Sequence, residues 1–134
     1  MRAQFFDRLD TASPLNGVTL EHSVALRTLV HNLQRREPFF AELIGQNGCK
    51  LLLGIGPTHG CVQFGSVDGE PPYLMAVEID PGHEGVDQEC LHFLIGNTAT
   101  PVPRRYCLLM HKVVEIAVFL EERERSSDVE WEDI

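Results

Sequence analysis

The chain has 134 residues, 43% of them hydrophobic and 23% charged, proportions that fit one globular domain able to bury a core and exclude a disordered chain. Its 20 acidic and 11 basic residues give a formal net charge of −9, which repels phosphate backbones and argues against nucleic acid as a direct partner. No run reaches the roughly 18 apolar residues of a membrane span, and residues 1–10 lack the apolar stretch of a signal peptide, so the expected location is the cytoplasm, with no membrane partner.

Residues 1–16 are mixed and show no clear period, while Val18-Thr19-Leu20 suits a short strand. Ser23 is the expected N-cap of a helix running to about Arg36, with Leu26, Leu29, Val30 and Leu33 on one apolar stripe. Arg35 and Arg36 suit its C-terminus, and Pro38 prevents its continuation. Beyond Cys49 the period shortens. Leu51–Ile55, Cys61–Phe64, Tyr73–Ile79 and Leu91–Ile95 read as four strands, separated by turn residues at Gly56–Gly60 and Asp68–Pro72 and by an acidic loop at Asp80–Glu89. Successive hairpins predict a largely antiparallel meander.

Pro101 and Pro103 forbid a helix, and a second helix is predicted from about Cys107 to Arg123. Its main stripe is Leu109, Val113, Ile116, Ala117 and Leu120; Met110, Val114, Val118 and Phe119 widen it, so this helix should lie covered across the sheet. The expected architecture is α+β: one domain over 1–134, a meander sheet with two main helices packed on it.

The charge is unevenly placed. No Lys or Arg lies between Lys50 and Arg104, a window that holds Asp68, Glu70, Glu78, Asp80, Glu84, Asp87 and Glu89. The last residues add Glu121, Glu122, Glu124, Asp128, Glu130, Glu132 and Asp133 against only Arg123 and Arg125. Such a surface attracts a basic protein and speeds the encounter, although acidity also serves solubility alone. Trp131 stands among Glu130, Glu132 and Asp133, either as an aromatic anchor in an acidic patch or as a ring covering an apolar sheet edge.

Other motifs carry less chemistry. Gly54–Gly60 resembles a phosphate loop only in its glycines, since it leads into a strand rather than a helix; a hairpin turn is the better account. His59 and Cys61 with Cys90 and His92 could offer four metal ligands, but the spacings typical of zinc are absent. The four cysteines, Cys49, Cys61, Cys90 and Cys107, are too scattered for a disulfide scaffold and are expected as reduced, mostly buried thiols. No catalytic residue, metal or cofactor is expected.

The C-terminal half reads Leu91–Asn97, then Val102-Pro103, then an apolar Val113–Leu120, and Ser126-Ser127-Asp128-Val129-Glu130-Trp131-Glu132. A strand ending in a Pro-rich step, an apolar helix, a short polar turn and a terminal Val-x-Trp resembles the immunity proteins of bacterial polymorphic-toxin systems, often paired with nucleic-acid deaminases. The likeness covers roughly 49–134, and the upstream hairpin and the Tyr73–Ile79 strand fall in the order it requires. Family members commonly carry Gly in the turn after the last helix and Pro before the final strand; Glu122–Ser127 contains neither.

The resemblance implies a non-catalytic inhibitor that covers the active site or substrate groove of a cognate toxin domain, such as a deaminase or nuclease. Such a toxin would present a basic groove, and charge placement nominates Asp80, Glu84, Asp87 and Glu89, with Glu130, Trp131, Glu132 and Asp133 as a second patch. The alternative expectation is an adaptor or secretion-associated chaperone without catalytic activity.

Overall fold

A computed structural model describes residues 2–46, 48–69, 73–78, 90–120 and 129–133. Its backbone is α+β and largely antiparallel. In chain order the strands are β1 (Ala3–Asp7), β2 (Val18–Leu20), β3 (Phe39–Gly45), β4 (Cys49–Ile55), β5 (His59–Ser66), β6 (Leu74–Glu78), β7 (Cys90–Ile95), β8 (Thr98–Pro103), β9 (Leu108–Leu109) and β10 (Val129–Asp133). Helix α1 (Ser23–Leu33) follows β2, and α2 (Met110–Leu120) follows β9.

The main sheet runs β10-β6-β5-β4-β3-β1-β2, every neighbouring pair antiparallel. Strands β4 to β6 form the meander that the turn residues predict, and β3, unassigned from the sequence, extends it on the other side of β4. Alternation then assigns the faces. Leu51, Leu53 and Ile55 of β4, with Phe39, Ala41 and Leu43 of β3, join Val62 and Ala76 in one buried layer. Onto this layer α1 packs Leu26, Val30 and Leu33, and α2 packs Met110, Val113, Val114, Ile116 and Ala117. Burying each such aliphatic or aromatic side chain contributes about 2 kcal/mol, so this layer dominates the stability of the fold.

The opposite face is covered by other strands. The fourth predicted strand, β7, does not extend the meander beside β6. It forms a hairpin with β8 and touches the main sheet through a single parallel pair, Phe39↔Leu94. This hairpin lays Phe93 and Val102 over Phe40, Cys61 and Met75, making a second core. Phe93 and Phe40 meet at 5.4 Å between ring centroids. Gly54 makes the approach possible, because a Cβ there would lie 3.1 Å from the Phe93 ring and 2.6 Å from the Cys61 sulfur. The hairpin tip turns at Gly96, with φ +56°, and the Gly96 N–H donates to the Arg8 carbonyl at 2.8 Å.

Other sequence expectations need revision. Ser23 is the first helical residue, and His22, extended and without a side-chain capping bond, is the N-cap. Helix α1 stops at Leu33 rather than Arg36: the Gln34 N–H still donates to the Val30 carbonyl, but the Arg36 N–H turns back to Leu33 in an i−3 bond, while the Gln34 side chain reaches the carbonyls of Gly56 and Pro57 and the Arg36 side chain reaches Asp7. Helix α2 starts at Met110, not Cys107, since Leu108-Leu109 pair with β5 as β9, and Leu109 is exposed. Residues 121–123 lie outside the described residues. Gly56–Thr58 is the hairpin turn between β4 and β5, and its Thr58 carbonyl accepts from the Met110 N–H at 3.1 Å.

Candidate functional site

The C-terminal acidic patch folds as strand β10, an edge of the main sheet whose one strand neighbour among the described residues is β6. The register is Val129↔Glu78 through Asp133↔Leu74, which sets Trp131 opposite Ala76 and Glu132 opposite Met75. Because successive side chains alternate, the four nominated residues are divided between the two faces. Trp131 lies on the helix-covered face, half-buried, its ring 6.1 Å from Phe64 in an edge-to-face contact. Glu132 lies on the other face with Glu130, and Asp133 shares the side of Trp131.

The charges are not equally available. Arg105, in a 3-10 turn at Arg104–Tyr106 that precedes β9, donates to the Glu132 carboxylate and forms an ion pair with it. Glu130 and Asp133 are exposed, and neither has an ion-pair partner among the described residues. The patch is thus an acidic edge strand with two available carboxylates, a third neutralised in place, and an aromatic ring tucked against the sheet. Among the described residues the indole Nε1 of Trp131 is buried without a hydrogen-bond partner. Asp80, Glu84, Asp87 and Glu89 lie outside the described residues.

Position Glu132 looks like free charge in sequence, yet Arg105, 27 residues earlier, neutralises it. No local spacing links the two; the connection comes from the turn before α2 packing against the β6 end of the sheet.

Two further polar clusters sit inside the fold. Asp7 is only 2% exposed, and its carboxylate accepts from Arg36 at 2.7 and 3.3 Å and from the Leu9 and Asp10 N–H groups at 2.8 and 3.0 Å. Burial works to raise its pKa, but the Arg36 bond and the two backbone donors outweigh it and hold the carboxyl below its ordinary value. Arg36 also stacks 4.2 Å over the Phe39 ring. On the opposite face Glu42, buried at 6%, meets Arg8 at 2.6 Å and Lys50 at 3.2 Å. Both acids are committed to structure.

A groove of about 250 Å³ runs between the helices, floored by Val30, Met110 and Val114 and rimmed by Arg27, His31 and His111. Of the residues weighed as metal ligands, Cys61 is wholly buried with its thiol pushed up to about 12 by burial first and by neighbouring Cys107 second, a state that binds a cation poorly. His92 is exposed on β7, and the Cys90 side chain lies outside the described residues. Among the described residues no three His, Cys, Asp or Glu side chains converge on a cation position.

No helix among the described residues is long and apolar enough to cross a membrane. Compared with known proteins, the sequence matches no protein-family model and no curated protein.

Proposed function

We propose that this chain is a cytoplasmic immunity protein that binds a cognate toxin domain and blocks it by covering a basic active site or substrate groove. The observation that carries the reading is the edge strand β10, where Glu130 and Asp133 are exposed with no ion-pair partner among the described residues, on a molecule of net charge −9. An exposed sheet edge offers backbone donors and acceptors, and its acids select against another acidic edge and for a basic partner. The likeness of residues 49–134 to polymorphic-toxin immunity proteins adds the class of partner. Inhibition here requires surface complementarity and no chemistry from the chain itself.

The test is co-purification of the full chain with the C-terminal domain encoded by the adjacent gene, followed by calorimetric titration at two salt concentrations. Tight stoichiometric binding that weakens with salt and abolishes the domain's toxicity is the expected result. An intact toxicity with no complex would overturn the reading. The double charge reversal Glu130→Lys with Asp133→Lys should weaken the complex on the order of tenfold at low salt, with a smaller effect at high salt. An unchanged affinity would remove β10 from the interface.

A further inference from the structure

We propose that Cys61 and Cys107 are a redox pair, a modification site at which two thiols of the folded protein close reversibly into a cross-strand disulfide. Strand β5 pairs with β9 through His59↔Leu109 and Gly60↔Leu108. Continuing that antiparallel register by one residue places Cys61 opposite Cys107. The backbone of Cys107 is extended, with φ −91° and ψ 123°, so the strand geometry persists to that position. Facing residues of an antiparallel pair have Cα atoms about 4.5–5.5 Å apart, inside the range that a disulfide spans.

Side-chain placement agrees. Both cysteines belong to the same apolar cluster, Cys61 in its buried centre and Cys107 packed at its border. Cys61 lies where β5 changes partners, between the β9 ladder at His59–Gly60 and the β6 ladder at Gln63–Phe64. Its opposite neighbour in β4 is Gly54, which supplies no side chain, and the thiol leans over that glycine. Rotation about χ1 carries the sulfur from Gly54 toward Cys107. Neither forms a disulfide in this structure.

The environments assign an order to the chemistry. Cys61 is fully buried and its thiol is held at about 12, so it does not begin the reaction. Cys107 is half-buried, with its sulfur 3.7 Å from the Pro103 carbonyl oxygen. The Cys107 thiolate attacks one sulfur of a small disulfide oxidant of the glutathione type, breaking that S–S bond and releasing one thiolate. The Cys61 sulfur then attacks the Cys107 sulfur of the mixed disulfide and displaces the second thiolate, which takes up the Cys61 proton. The protein loses two hydrogens, and the oxidant leaves as two thiols. Closure fixes the Arg104–Tyr106 turn, and with it the guanidinium that meets Glu132, against the sheet.

The experiment equilibrates the wild-type chain in glutathione buffers from reducing to oxidising, then quenches with acid, alkylates under denaturing conditions and counts modified cysteines by intact mass. Two alkylation sites should disappear together in a monomer, return on reduction, and map to Cys61 and Cys107 by peptide analysis. The oxidised protein should melt roughly 10 °C higher, because the bond closes a long loop from 61 to 107. Cys107→Ser, a change at a half-buried position, should keep all three remaining thiols free of intramolecular bonds. Four reactive thiols at every potential, or a bond involving Cys49 or Cys90, would overturn the proposal.

Discussion

Asp7 shows how one residue ties the start of the chain to the end of α1. Its carboxylate is buried yet charged, because Arg36 and two backbone N–H groups replace the water it loses. Its folded pKa is depressed, so its stabilisation is fully present above the unfolded value near 3.9 and disappears as pH falls through the folded value. Asp7→Asn should cost about 3 kcal/mol at neutral pH and flatten the loss of stability below about pH 4, read from urea midpoints against pH. A wild-type slope in the variant would mean that other acids dominate. Trp131→Phe should be neutral or slightly stabilising: it keeps the contact with Phe64 and removes an indole N–H that is buried without an acceptor among the described residues. Gly54→Ala should destabilise by about 2 kcal/mol, as its Cβ would press on Cys61 and Phe93. None of these effects is legible in the sequence. Asp7 and Arg36 stand 29 residues apart, and Gly54 reads as one more turn-associated glycine in a Gly-rich stretch.

Elements that alternate or carry a one-sided stripe were readable. Strands β4, β5, β6 and β7, the short β2, and both helices fall where the periodicity predicts, with shifted ends. Strand β3 carries no such signal because both its faces are covered: Phe39, Ala41 and Leu43 lie under the helices, and Phe40 and Glu42 under the other face. Strand β1 is obscured by Asp7, a polar residue at a buried position of the alternation. Strand β8 was hidden by Pro101 and Pro103, which an edge strand tolerates because its outer N–H positions need no partner. The β7–β8 hairpin depends on Phe93 for its docking. Phe93→Ala should cost about 4 kcal/mol and accelerate amide exchange across β7 and β8 before the helix-covered layer responds. Uniform acceleration over the whole sheet would show that the hairpin and the sheet open as one unit.

At the scale of the molecule, one sheet serves two cores, one under the helices and one under the β7–β8 hairpin. The lone tryptophan stands on the edge strand β10 and reports whether that edge holds as long as the centre. Thermal unfolding followed by Trp131 fluorescence should coincide with that followed by far-ultraviolet circular dichroism; an earlier fluorescence transition would mean that β10 peels away first. The candidate site was partly legible. The acidic run and its tryptophan are plain in the sequence, but which carboxylates remain available is not. The sequence by itself determined the α+β class, the meander from β4 to β6, the amphipathic helices and the acidic balance, because each follows from local periodicity or from simple composition. Only the tertiary structure decided that β7 leaves the meander to cover the second face, that Arg105 neutralises Glu132, and that Cys61 and Cys107 share the second core. Those outcomes depend on contacts between residues far apart in the chain, whose geometry is set by how the layers pack.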